Sequence, residues 1–294
     1  ITANYLGFGL SPAVCICLVY VLDRKTALRR EIRTAVRIEI GYLIFLFVTI
    51  PCGMVFSVSA DNIYSRGPHF YIYVVMYFGA ILYLSASTVI TAREFQNRSR
   101  LLIYPLILFV MAETIIQVAL PELHVTWLCV TLLSVLYFIY CSEMWNQLDA
   151  LTGLLNQNSY LKQTGGMRCK GGVLVVFDVD DFKQINDRYG HIQGDLCLAG
   201  IAECIKKSYA NFGYCYRIGG DEFCVLLKNG GNEGRCKQEF LQRLQEKRGE
   251  IAFLPTVSYG SAPFSGEDIV KVKDRADQDM YQYKKERKNR KRLS

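Results

Sequence analysis

Five apolar stretches, at about 4–22, 38–60, 69–92, 101–120 and 125–141, fill the first half of this 294-residue chain. A helix needs roughly 20 apolar residues to cross the hydrocarbon core of a bilayer, and each stretch is near that length, the last being short. Five buried helices of a soluble core are the alternative. The length and number of the stretches and the short loops between them argue against it. From residue 142 the composition changes to the charged, mixed pattern of a soluble α/β protein. The length suits two domains.

Loop charge orients the apolar half. Arg24, Lys25, Arg29, Arg30, Arg33 and Arg37 separate the first two stretches, and Arg93, Arg98 and Arg100 separate the third and fourth. The other two loops hold only Arg66 and the uncharged-to-acidic turn at Pro121 and Glu122. Basic and non-basic loops alternate, which places 23–37, 93–100 and everything after Cys141 on the cytoplasmic side of a multi-pass cell (inner or plasma) membrane protein. An odd number of spans puts the visible N-terminus outside; the chain begins with Ile, so it reads as a piece of a longer protein, and one preceding helix would restore an even count. Glu113 falls inside the fourth stretch, where an interhelical hydrogen bond is a better reading than a ligand or proton site. His69 and His124 read as interface anchors, and Pro51 and Pro105 as kinks. The last stretch runs on without Gly or Pro to Leu148, a helix of roughly 33 Å from Trp127 at 1.5 Å per residue. The organisation expected is therefore a membrane region over 1–141, a connecting signalling helix over 142–150, and a soluble domain over 151–294.

Eleven cysteines lack CxxC or zinc spacing, so free thiols in a reducing compartment are expected. The net charge of +7 owes much to the solvated basic tail after Tyr283.

In the second half, Val173–Val179 is a short β-branched run after Gly171 and Gly172 and reads as a buried strand. Leu198, Ile201, Ala202 and Ile205 recur at helical spacing. Residues 214–218 and 223–227 flank Gly219 and Gly220 as a hairpin; 233–247 and 267–288 look helical, and 256–262 looks like a strand. A single sheet flanked by helices follows. Asp178 ends an otherwise apolar strand, a costly place for a carboxylate unless positive charge compensates it. Gly219 and Gly220 permit a tight turn and close approach of a ligand, and Asp221 and Glu222 follow at once. Carboxylates converging from two places point to a hard divalent cation bound with phosphates, as in phosphoryl and nucleotidyl transfer. No GxxxxGK[ST] is present, which excludes a P-loop.

Residues 149–289 resemble the GGDEF family along five ordered blocks. Asp149 to Asn156 is similar to D-x-L-T-G-L-x-N. Phe177 to His191, followed by Gly194 and Asp195, is similar to F-D-x-D-x-F-K-x-x-N-D-x-x-G-H. Residues 219–223 carry the signature itself. Thr256 to Gly260 is similar to T-V-S-x-G, and Ala276, Asp277, Met280, Tyr281 and Lys284 to A-D-x-A-L-Y-x-A-K. The resemblance implies a membrane α-helical bundle followed by an α/β domain of the α+β sandwich, palm-like nucleotidyl-cyclase type. The implied activity is diguanylate cyclase, two GTP giving cyclic di-GMP and two pyrophosphates. The alternative is a catalytically weak GTP-binding sensor module.

The resemblance also implies roles. Asp178, Asp221, Glu222 and the Val179 carbonyl would hold Mg²⁺, with Mn²⁺ as its substitute. Asp221 or Glu222 would deprotonate the attacking 3′-OH. Asn186 and Asp195 would read guanine against a wall including Leu154. The amides of Asp181 and Phe182, with Lys183, Lys284 and Lys288, would hold the phosphates, Lys183 offsetting developing charge. Asp180 reads better as a structural acceptor. One GTP per domain requires a homodimer, joined through this domain and the membrane helices. The other partners implied are the bilayer and downstream cyclic di-GMP effectors, with no nucleic acid. Three departures stand out. Ala210 and Gly213 occupy the family's R-x-x-D product-binding positions, so inhibition there is not expected. Gln157 and Asn158 replace Arg-Arg, and Lys288 stands where Arg is common.

Overall fold

A computed structural model describes residues 2–22, 29–60, 63–96, 103–119, 126–165 and 171–293. The chain divides into two units, Ile1–Trp145 and Asn146–Ser294.

The first unit contains helices α1 (Thr2–Leu22), α2 (Arg29–Thr49), α3 (Tyr71–Glu94), α4 (Ile103–Ala119) and α5 (Thr126–Asn146), with a hairpin of β1 (Phe56–Val58) and β2 (Tyr64–Arg66) between α2 and α3. Among the described residues, three helices are long and apolar enough to cross a membrane: Thr2–Leu22, Tyr71–Arg93 and Leu128–Asn146. Over the described residues the other two expected spans are not in this set. The first ten residues after Arg29 in α2 include Arg30, Glu31, Arg33, Arg37 and Glu39, so its apolar part is confined to its second half. Helix α4 has 17 residues. The stretch 38–60 is also not one helix. It leaves the helix at Thr49, turns through Pro51, Cys52 and Gly53 (φ 58°), and continues as β1. Pro51 thus ends a helix and does not kink one, and Pro105 sits in the first turn of α4, where its missing amide is no loss. Pro12 does lie inside α1; the Phe8 carbonyl four residues earlier accepts the Tyr42 hydroxyl at 3.3 Å. Helix α5 ends at Asn146, two residues before the expected Leu148. Large apolar side chains stand on the helix surfaces, among them Phe47 (66% exposed) and Leu128 (71% exposed), as lipid contact would allow. His69 lies just before α3, its ring 5.9 Å from that of Tyr71. His124 and the Glu113 side chain lie outside the described residues.

The second unit is one antiparallel sheet of β3 (Gly172–Val179), β4 (Gly213–Arg217), β5 (Glu222–Leu227) and β6 (Val257–Phe264), in spatial order β4-β5-β3-β6. Helices α6 (Gln157–Thr164), α7 (Phe182–Tyr189), α8 (His191–Tyr209), α9 (Glu233–Glu250) and α10 (Ile269–Leu293) complete it. Both sheet faces are covered, which is why β3 reads as an unbroken apolar run. Val173, Val175, Phe177, Phe223 and Val225 face a core built with α8 and α9. Leu174, Val176, Cys224 and Leu226 face a second core with Tyr160 of α6 and with Val272 and Ala276 of α10. Helix α10 presses directly on β6: a Cβ on Gly260 would come within 2.2 Å of the Ala276 carbonyl and the Met280 amide. That contact explains the glycine of the T-V-S-x-G block. The ten described cysteines are free thiols.

Candidate active site

Register decides where the carboxylates go. In the β3–β5 ladder Asp178 lies opposite Glu222, and in the β3–β6 ladder opposite Ser258. Directly opposed residues of antiparallel strands project to the same face. Phe177 and Phe223 are committed to the α8–α9 core, so Asp178, Glu222 and Ser258 take the α10 face. Helix α10 meets them with positive charge. Lys284 Nζ lies 2.5 Å from Asp178 Oδ1. Burial pulls the Lys284 ammonium pKa down, but the bond to Asp178 and the charges of Asp178 and Asp180 outweigh it and raise it above the ordinary value.

Asp180 is fully engaged. It accepts the hydroxyls of Thr256 and Ser258, each at 2.7 Å, and the Arg287 guanidinium at 3.3 Å. These bonds fix the end of β3 against β6, the structural role expected of it. The chain then turns sharply. Asp181 adopts a left-handed conformation (φ 54°) before α7, and among the described residues the amides of Asp181, Phe182 and Lys183 have no backbone acceptor. Free amides at a helix start, beside an exposed Lys183, are suited to an anion.

The signature turn is held from three sides. The amides of Ile218 and Gly219 donate to the Glu222 carbonyl at 3.0 and 3.3 Å, and the Val179 amide donates to the Asp221 carbonyl at 3.2 Å. Neither Gly219 nor Gly220 has positive φ. A Cβ on Gly219 would press on the Glu222 side chain, 3.1 Å from its Oε2. A Cβ on Gly220 would meet no protein atom within 4 Å, so that side of the turn stays open. The third support is a clamp that local sequence spacing conceals. Arg217 donates to the Gly220 carbonyl at 2.7 Å and to Asp149 at 3.1 Å. Asp149 also accepts the amide and the hydroxyl of Thr152, at 2.8 and 2.6 Å. Burial pushes the Asp149 carboxyl up, but the Thr152 and Arg217 bonds prevail and hold it below the ordinary aspartate range. The first motif block therefore braces the turn from 68 residues away.

Asn186 leaves α7 beside Gly194 of α8, the residue before exposed Asp195. Its Oδ1 is buried with no hydrogen-bond partner among the described residues. A buried polar atom without a partner is rare and points to an external one. Leu154 is 3% exposed and belongs to the α8–α9 core, so only its edge is offered to a ligand. The Lys288 side chain lies outside the described residues.

The donor set is chemically right for Mg²⁺: carboxylates from two strands and a turn, all hard oxygen. Among the described residues no three such side chains converge closely enough to hold a metal alone. Mg²⁺ commonly keeps water and substrate phosphates in its shell, so the set fits a cation that arrives with its nucleotide. Asp178 already has a cationic partner in Lys284.

Residues 146–290 match the family profile described as diguanylate cyclase, GGDEF domain. The C-terminal unit is similar to a GGDEF domain along nearly its whole length. The curated relatives include diguanylate cyclase DgcS of Shewanella oneidensis, 32% identical over 154 residues, which are 50% of this chain and 52% of that protein. Probable diguanylate cyclase DgcJ of Escherichia coli is 30% identical over 151 residues, 48% of this chain and 30% of its own length. The chain thus spans about half or less of these relatives. A solved microbial GGDEF domain, described in its interaction with bis-(3,5)-cyclic di-GMP, is 32% identical; the match covers 47% of this chain and 92% of that one, with a TM-score of 0.38. All five motif blocks lie within the GGDEF match.

Proposed function

We propose that this protein is a diguanylate cyclase, joining two GTP molecules into cyclic di-GMP at the α10 edge of the GGDEF sheet. The observation that carries the reading is the register that sets Asp178 opposite Glu222, with the Asp221 turn bonded to Val179. The 3′-OH of one GTP attacks the α-phosphorus of the other. An O–P bond forms, the bond to the β-phosphate oxygen breaks, and pyrophosphate leaves; the same step in reverse roles closes the ring. Asp221 or Glu222 takes the proton from the 3′-OH. Asn186 and Asp195 hold the guanine edge beside Leu154. The amides of Asp181 and Phe182, with Lys183, Lys284 and Lys288, hold the phosphates. Asp178, Asp221, Glu222 and the Val179 carbonyl would hold Mg²⁺, which would supply positive charge against the phosphates and lower the pKa of the attacking hydroxyl. Because each domain holds one GTP, two copies face each other across a two-fold axis.

The first unit anchors the enzyme in the cell membrane through α1, α3 and α5 and carries the input signal, with the basic 23–37 loop and the GGDEF domain on the cytoplasmic side. Cyclic di-GMP effectors act downstream.

The test incubates the purified dimer with GTP and Mg²⁺ and resolves the products. Cyclic di-GMP in stoichiometry with half the GTP consumed is the expected result. Tight GTP binding without product would replace the enzyme with a sensor. Asp221→Ala should abolish turnover while circular dichroism and melting stay unchanged; turnover retained in that variant would refute the assigned chemistry.

A further inference from the structure

A carboxylate also lies buried far from the nucleotide chemistry in sequence. Glu39, half-way along α2, is 6% exposed, and among the described residues neither of its oxygens has a hydrogen-bond partner. It lines a cleft of about 750 Å³ between α1, α2 and α3, walled by Ile16, Ile38, Val75, Met76 and Ala80. The size suits a small organic molecule. The walls are apolar, and the polar lining includes a second carboxylate, Glu31, and no basic residue among those described. The cleft is open at its wall: Ile38 is 57% and Val75 65% exposed.

An unpartnered carboxylate under an apolar roof is expensive, and an ionisable residue at such a position in a membrane unit marks a function more often than a packing choice. A buried carboxylate without a partner among the described residues selects for positive charge and N–H donors. We propose that this cleft binds a membrane-partitioning amine, with its apolar body along Ile38, Val75 and Met76 and its ammonium donating to Glu39. The proposal is independent of the cyclase reading, because binding is read out directly and not through cyclic di-GMP.

The experiment uses the whole chain in nonionic detergent and follows its melting temperature on addition of decylamine, decan-1-ol or decanoate. Decylamine should stabilise the protein saturably and the other two much less. Glu39→Gln is nearly isosteric and removes a charge, so it should fold; its half-saturating decylamine concentration should rise roughly 10-fold or more, the loss of one charge-assisted bond. Gly79→Leu gives an independent arm. A Cβ there meets nothing within 4 Å, so a larger side chain can extend into the cleft and should remove the response with Glu39 intact. Equal decylamine responses in wild type and Glu39→Gln would overturn the proposal. So would decan-1-ol matching decylamine, an unchanged response in Gly79→Leu, or no response in folded wild type. A Glu39→Gln protein that loses its dimer but keeps the decylamine response would give the cleft to a second copy of the chain, which also overturns it.

Discussion

Gly194→Ala separates the nucleotide role of α7 and α8 from their structural one. The new Cβ would lie 1.9 Å from Asn186 Oδ1, which is 1.1 Å inside the 3.0 Å limit that Cβ atoms essentially never cross. The Phe182 ring, at 3.3 Å, needs to give only slightly. Asn186 must therefore rotate away, and it can do so cheaply, because Oδ1 has no internal bond to lose. Replacing glycine within a helix gains roughly 0.5–1 kcal/mol, which offsets most of the residual crowding. Stability should stay within about 1 kcal/mol of wild type. Binding should not. Losing one base-reading hydrogen bond, with its partner left desolvated, costs about 1–3 kcal/mol, or roughly 5- to 150-fold in Kd. Calorimetry with a non-hydrolysable GTP analogue measures that loss, and urea unfolding measures stability. Asn186→Ala should lose a similar amount, and the double variant no more than either single one, since both remove the same contact. Wild-type affinity in a folded Gly194→Ala protein would refute the assignment of Asn186 to guanine. Equal loss of stability and affinity would refute the claim that the side chain moves freely.

Two further outcomes follow from the braces around the signature turn. Gly213 opens β4 against Leu226, and a Cβ there would come within 2.3 Å of the Leu226 carbonyl. Gly213→Asp with Ala210→Arg should therefore not rebuild a product-binding site; it should lower the melting temperature, and product titration should show no inhibition. Asp149→Asn should destabilise the isolated 146–294 unit at neutral pH by loosening the Arg217 clamp, measured by urea unfolding. Because the folded Asp149 pKa is depressed, its contribution is present above the unfolded value of about 4 and is lost as pH falls through the folded value. The gap between wild type and Asp149→Asn should close on acidification below pH 4; a gap independent of pH would show that the charge of Asp149 is not what stabilises the turn.

The elements nearest the chemistry were legible because their signals are local. The apolar run of β3, the helical spacing of Leu198 to Ile205 and the paired glycines each lie within one short window, and the observed β3, β4, β5 and β6 fall within two residues of the expected bounds. Hydropathy was a poorer guide in the first half. The stretch 38–60 averages apolar across a helix end, a turn and a strand, and no sliding average registers the positive φ of Gly53. The glycines at 219 and 220 form the expected turn without positive φ, and a Cβ on Gly220 would meet nothing within 4 Å, so the turn is open there. Arg217 and Arg287 were missed as braces because their acidic partners lie 68 and 107 residues away. Only the folded register brings them together.

That register also explains why the site lies where it does. Along β3 the α10 face is filled in turn by Leu174 and Val176, and then by Asp178. The apolar core on that face and the carboxylate site are thus successive positions of one alternation, two residues apart. A one-residue slip of β5 against β3 would carry Glu222 into the α8–α9 core and take Phe223 out of it, at the cost of a buried, unpaired carboxylate and of the packing of a fully buried aromatic side chain. Burial of Phe177 and Phe223 on one face consequently fixes Asp178 and Glu222 on the other. The chemistry needs no separate device to align these two strands, because the core has already done it. What remains to be positioned is the turn carrying Asp221, and Arg217, Asp149 and the Val179 amide hold it.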